Sequence, residues 1–373
     1  MPAVSYALLV NGAPAAPELL EALQQIEVED HAELADMLRL RLATAVREDG
    51  RGWKILDDPV FQRLDNLRVL VTIGSRHSEV LIDSYVIETR ARFSNEPGES
   101  ILEVVAMDPT VLMNLEEKIR PWPNMADSDI AEVLFGEYGF EPVVERTQPS
   151  WAEVDRTNIQ RGTDIQYLRQ LAERYGYECF VEMNPLSAIL EGHFRPPQPA
   201  QKPQGVLSVN LGAATNVDSF SARFDMLRPA TVRATGLDIE TKRAQPARAD
   251  EIALAEQGVE PALQRERPRL VQLSGTGLAR TAELQTRAQA EVDRSGWAIV
   301  AEGELHTVAY EGILRAKRPV EVRGAGRQFS GVYYVQRVLH TLAGDSYTQR
   351  FDLRRNALGL TGRERFVDDA ALP

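Results

Sequence analysis

Apolar and polar positions along this chain recur with a period of two over most of its length and with a period of about 3.6 in three short stretches. In the first 115 residues the pattern predicts strands at Tyr6 to Val10, Leu38 to Ala43, Leu67 to Ile73, Val80 to Glu88 and Ile101 to Met107. Leu38, Leu40 and Leu42 alternate with Arg39 and Arg41, and Val69, Val71 and Ile73 share a parity, as half-buried strands require. Breaks at Asn11-Gly12, Asp49-Gly50-Arg51-Gly52, Gly74-Ser75 and Asn95-Glu96-Pro97-Gly98 carry turn-forming residues. Short strands at this spacing predict a closed barrel or sandwich, because an open sheet leaves unpaired edges.

After Pro121 and Pro123 the period lengthens, and a helix is predicted over Ser128 to Tyr138. Thr163-Asp164-Ile165-Gln166 has the form of a capping box, in which the Thr and Gln side chains satisfy the first free backbone donors of a helix. Ile165, Leu168, Leu171, Ala172 and Tyr175 supply its apolar stripe, Gly176 stops it, and Tyr177 to Glu182 reads as a strand. Arg195 to Gly205 holds Pro196, Pro197, Pro199 and Pro203 and reads as a stiff linker. Beyond it a strand is predicted at Thr231 to Thr235, a polar stretch over Lys242 to Arg269, and a helix over Arg280 to Arg294, with strands resuming near Val320.

The last two strands are the clearest. From Val332 to Leu339 apolar residues occupy both parities, so both faces are expected to be covered. Tyr347, Phe351 and Leu353 then alternate with Thr348, Arg350, Asp352 and Arg354, giving a return strand with one dry and one wet face, joined by the turn Ala343-Gly344-Asp345-Ser346. The fold class expected is mainly β with α+β. Residues 1–115 form the first β-domain and 116–200 a small α/β domain. Residues 201–241 and 315–356 form a discontinuous second β-domain, with 242–314 inserted and 357–373 as a tail.

Length and charge narrow the function. At 373 residues, 43% hydrophobic and 26% charged, the chain is ordinary multidomain globular material. A formal charge of −13 without Lys/Arg runs argues against nucleic-acid binding. The apolar run near the N-terminus is far below the roughly 20 residues of a bilayer span and lacks a basic leader, so synthesis in the cytoplasm without a signal peptide is expected.

Candidate chemistry is sparse, and no catalytic, cofactor-binding or metal-binding residue is assigned. Gly50-Arg51-Gly52-Trp53-Lys54 lacks the spacing and the hydroxyl residue of a phosphate loop, and Ser274-Gly275-Thr276-Gly277 lacks the third glycine of a dinucleotide fingerprint. His31, His77, His193, His306 and His340 have no metal-ligand spacing. Cys179 lies in an apolar strand and reads as an inert core thiol. Glu116-Glu117 and Asp368-Asp369 read as solvated surface, and Trp53, Trp122 and Trp151 as rings packed at turns or joints or, equally, in the core.

Two segments, Gly162 to Glu182 (GTDIQYLRQLAERYGYECFVE) and Val320 to Asn356 with its FSGVYYVQRVLH and YTQRFDLRRN strands, together resemble the late control protein D family of contractile phage tails and injection systems. That family includes baseplate hubs and is similar to the N-terminal hub part of the valine-glycine repeat protein G of type VI secretion. The resemblance implies two tube-like β-barrel domains in a noncatalytic homotrimer that joins a sixfold inner tube to a threefold spike. Its expected partners are a separate spike protein, the tube protein and other baseplate proteins, within the baseplate of a phage-tail-like particle. A cell-wall hydrolase of the same machine and an unrelated β-rich binding module are the alternatives.

Overall fold

A single antiparallel hairpin, Gly331–Ala343 and Ser346–Arg355, runs through the middle of the computed structural model and holds its two largest cores together. The structure describes residues 4–57, 61–74, 78–96, 98–148, 157–237, 242–264, 266–274 and 281–366. The hairpin is the centre of a 13-stranded sheet. On one side the sheet continues through Leu23–His31, Met37–Ala43, Ile101–Met107, Glu79–Arg92 and Asn66–Ile73 to Val4–Val10. On the other it continues through Ile299–His306 to Ser219–Phe224, while Pro319–Arg323 pairs with the start of the hairpin and, in parallel, with Val206–Ser208.

Alternation makes each flank a core wall. Ile26, Val28, Leu38, Leu40, Leu42, Leu67, Val69, Val71 and Val104 are buried together in the first core. Leu207, Ile299, Leu305, Val320, Val322, Tyr333, Val335 and Val338 are buried in the second. Each fully buried side chain of this size contributes about 1.5–3 kcal/mol. The hairpin feeds both: its tip places Leu342 and Tyr347 in the first core, and its root places Tyr333, Val335, Phe351 and Leu353 in the second. Tyr334, of opposite parity to Tyr333, is also fully buried and packs with Ala32 and Trp297, so the root is covered on both faces as its sequence predicts.

At the far edge of this sheet Val206–Ser208 meets the segment before Ser219–Phe224, where Asn216 N donates to Ser208 O at 3.2 Å. Asn216, just before the Ser219–Phe224 strand, accepts from Ser208 N at 2.7 Å and donates to Val206 O at 2.9 Å, and so imitates a neighbouring strand along that edge. Asn216→Leu is expected to leave both groups buried and unpaired, at about 1–3 kcal/mol each. The check is a lowered denaturation midpoint, with hydrogen exchange accelerated first at Val206–Ser208.

The smaller units follow from local signals. Thr163 caps Asp164–Tyr175 reciprocally, with Gln166 N donating to Thr163 Oγ1 at 3.4 Å and Thr163 N to Gln166 Oε1 at 3.3 Å, and Gly176 ends the helix at φ 69°. This helix and Asp127–Glu137 cover a three-stranded sheet of Glu178–Met183, Leu190–Arg195 and Glu141–Val144.

Several expectations are corrected. The Leu23–His31 strand lies where no element was expected, although Ile26 and Val28 alternate, because polar Gln25, Glu27 and Glu29 dominate its composition. The polar stretch contains strands Ala244–Ala249 and Arg269–Leu273, which pair with Ala230–Leu237 and pack under the Thr281–Gly296 helix. The inserted unit therefore draws on residues 230 to 296 rather than 242 to 314. Ile299–His306, expected inside the insert, pairs with both Ser346–Arg355 and Ser219–Phe224 in the large sheet. Backbone pairing, invisible in composition, decides each case.

Candidate functional site

The side chains that hold the two cores and the α/β unit in one arrangement meet at a buried, charged joint beside the hairpin. Lys317 lies just before the Pro319–Arg323 strand and is 2% exposed. Its ammonium donates to Asp30 Oδ1 at 2.6 Å and to the two oxygens of Asp36 at 3.1 and 3.0 Å. Arg315 Nε lies 3.3 Å from Asp30 Oδ2, and its Nη1 donates to Leu81 O at 2.8 Å. Asp36 N donates to Asp108 Oδ2 at 2.7 Å, and Asp108 in turn caps Thr110. Lys317 also sits 5.1 Å from the ring centre of Phe180, in the α/β unit, where Phe180 stacks on His193 at 4.6 Å. A residue adjoining the second core thus grips two carboxyl groups of the first and an aromatic ring of a third body.

Three buried carboxyls, Asp30, Asp36 and Asp108, face two cations, so the joint carries one acid more than it can neutralise. Burial opposes ionisation of Asp30, but Lys317 and Arg315 more than offset it and hold that carboxyl well below its usual range. Burial, with Asp30 and Asp108 close by, pushes Asp36 up to about 8 despite Lys317. A carboxyl whose folded pKa is raised keeps a proton that the unfolded chain has lost. Its contribution to stability is therefore fully present below about pH 4 and falls as pH rises to about 8. Asp36→Asn cannot titrate, so its stability relative to the parent protein is expected to improve steadily from pH 5 to pH 8. Paired urea melts at the two pH values check this.

A second cluster fixes the insert. Arg354 donates to Glu33 and, through Nη2 at 3.2 Å, to Glu178 Oε1, while its guanidinium lies over Trp297 at 4.7 Å and Tyr334 at 5.3 Å. Tyr334 OH donates to Glu178 Oε2 at 2.7 Å, completing that carboxylate's partners. Arg355, on the other parity, is fully buried and donates to Ser330 O at 2.8 Å, Gln257 O at 2.6 Å and Gly359 O. Asn356 accepts from Gln257 N at 3.0 Å and donates to Ala255 O at 2.9 Å. Arg354 was expected on the wet face. It is buried instead, because the return strand's outer face is covered at this end by Trp297 and Glu178.

The residues weighed for chemistry do not converge. Cys179 is buried and its thiol pushed up to about 12 by that burial. His193 and His340 are buried, and burial lowers them to about 4 and about 3 respectively. His340 instead shares a hydrogen bond with Tyr347 OH at 2.8 Å. His31 accepts from Glu33 N at a loop, and the exposed His306 stands 3.8 Å from Asp218. Glu116 and Glu117 are exposed, and Gly50 to Lys54 is a surface turn. Trp122 is buried and donates to Gln160, whereas Trp53 packs on Phe93. His77, Trp151, Gly275 to Gly277, Asp368 and Asp369 lie outside the described residues. Among the described residues no group of three His, Cys, Asp or Glu side chains is placed to hold a metal ion, and no helix is long and apolar enough to cross a membrane.

Lys317, Asp30 and Asp36 carry no motif that marks them in the sequence. One signal was available: Asp30 continues the dry parity of Ile26 and Val28, where a charge needs a buried partner.

Comparison with known proteins places this architecture. The model of the Alg8 N-terminal domain family matches residues 3–344. No curated protein matches the sequence. A tail protein from Neisseria meningitidis MC58 superposes with a TM-score of 0.65 at 12% identity, over 95% of this chain and 97% of that one. The 43 kDa tail protein of prophage MuSo2 from Shewanella oneidensis gives 0.63 at 14% identity, over 94% and 98%. An E. coli component of the type VI secretion system, described as similar in structure to the T4 bacteriophage tail proteins gp27 and gp5, gives 0.57 at 10% identity, over 94% and 77%. The fold is thus that of phage-tail proteins, as the resemblance of Gly162 to Glu182 and Val320 to Asn356 implied.

Proposed function

The chain belongs to the Alg8 N-terminal domain family, and from its tail-protein fold we propose that it is the baseplate hub of a contractile, phage-tail-like injection system. It acts as a noncatalytic homotrimer that joins the sixfold inner tube to the threefold spike. The observation that carries this reading is the pair of β cores fused by one continuous hairpin. Three chains with two such cores each present six β units to a tube of six subunits, while keeping threefold symmetry for the spike. An adaptor of this kind must not flex between its halves, and the Lys317 joint and the Arg354 cluster supply that rigidity by locking buried charges across the bodies.

The partners are a second and third copy of the chain, a separate spike protein, the inner tube protein and neighbouring baseplate proteins, and the chain's place is the baseplate of the assembled particle. Native mass spectrometry of the chain with its spike is expected to give a 3:3 complex. Each protomer interface should bury about 2,000 Å² or more, as permanent interfaces do. A single copy per assembled particle, or failure of the two β cores to superpose on one another, would overturn the reading.

A further inference from the structure

Between the α/β unit, the insert and the root of the hairpin lies a cleft of about 410 Å³. It continues past Gly176, Tyr177, Pro197 and Leu254 into a shallower groove of about 620 Å³. Tyr175 and Tyr177, with ring centres 5.3 Å apart, and the prolines Pro196, Pro197 and Pro199 form the groove's apolar wall. Four arginines and four carboxylates line the deeper cleft, but their partners are unevenly assigned. Glu33 and Glu178 are taken by Arg354, and Glu173 by Arg287 at 3.0 Å. Asp293 accepts from Ala253 N at 2.6 Å and from Gln289, and Arg294 is paired with Glu291. Arg169 and the exposed Arg228 form no ion pair among the described residues, and the Nε of Arg169 has no hydrogen-bond partner. The cleft therefore holds two uncommitted cations on a chain whose formal charge is −13.

We propose that this cleft binds an extended acidic peptide segment of a partner protein, with carboxylates on Arg169 and Arg228 and apolar side chains against Tyr177 and Pro197. Spare guanidinium groups select carboxylate acceptors, and a tyrosine and proline wall suits an extended chain. A small organic acid would satisfy the arginines and leave the wall bare.

The test is fluorescence anisotropy of the full chain with a labelled Asp-Leu-Asp-Pro-Tyr-Asp-Leu-Asp peptide and its Asn-for-Asp counterpart at low salt. The acidic peptide is expected to bind, and the Asn form and Arg169→Gln each to weaken binding about tenfold or more, as loss of a charge-assisted bond does. Arg228→Gln, at an exposed position that cannot disturb the core, is expected to weaken it severalfold. Arg41→Gln on the outer face of the first core is expected to change nothing. Absence of binding, equal binding of the two peptides, undiminished binding in both cleft variants, or displacement by succinate at concentrations equal to the peptide would each overturn the proposal.

Discussion

Lys317→Ala is expected to lower stability by about 3–5 kcal/mol, the cost of removing one partner from a buried ion pair. The substitution strips the ammonium from between Asp30 and Asp36, which lie 2.6 and 3.0 Å from it, and leaves both carboxyls in a site closed to water. Arg315 remains 3.3 Å from Asp30 but is held in part by Leu81 O, so it compensates only incompletely. The loss is specific to charge rather than volume. A double variant, Lys317→Met with Asp36→Asn, is expected to recover much of it, since Asp30 keeps Arg315 as its counter-charge and the second carboxyl is neutral. Urea denaturation of the two variants decides the matter. A Lys317→Ala protein within about 1 kcal/mol of the parent, the value of an exposed ion pair, would show that the joint is not closed to water.

Arg354→Ala should cost a similar amount, about 3–5 kcal/mol, but its damage should be local. It leaves Glu178 buried with Tyr334 OH as its remaining side-chain partner and uncovers the faces of Trp297 and Tyr334. Trp297 directly follows the Thr281–Gly296 helix, so hydrogen exchange there is expected to accelerate before any change in the first core. Arg354→Lys keeps the charge but cannot reach Glu33 and Glu178 through one planar fork, and should fall between parent and alanine. Uniform loosening of the whole chain in the alanine variant would contradict the assignment. If the hub reading holds, Lys317→Ala also fails to assemble with the spike, because a chain whose cores no longer share one orientation cannot present six equivalent units.

Much of the fold is written in periodicity. The run Leu38, Leu40, Leu42 against Arg39 and Arg41 predicts a half-buried strand, and the three leucines are fully buried. The Thr163 capping box predicts a helix start to the residue, because the signal is local and its hydrogen bonds span three positions. Residues 299–306 fall within the expected insert because nothing in their own sequence says that they pair with Ser219–Phe224 and Ser346–Arg355. The Leu23–His31 strand was missed because its outward charges masked its inward alternation.

What the sequence determined by itself is a mainly β chain, with a strand covered on both faces at the root of its last hairpin. Those properties follow from side-chain pattern over a handful of neighbouring residues. Tertiary structure alone decided that Lys317 meets Asp30 across 287 positions and that Arg354 meets Glu178 across 176. A buried charge is tolerable only beside its counter-charge, and that neighbour is chosen by how strands pair across the chain.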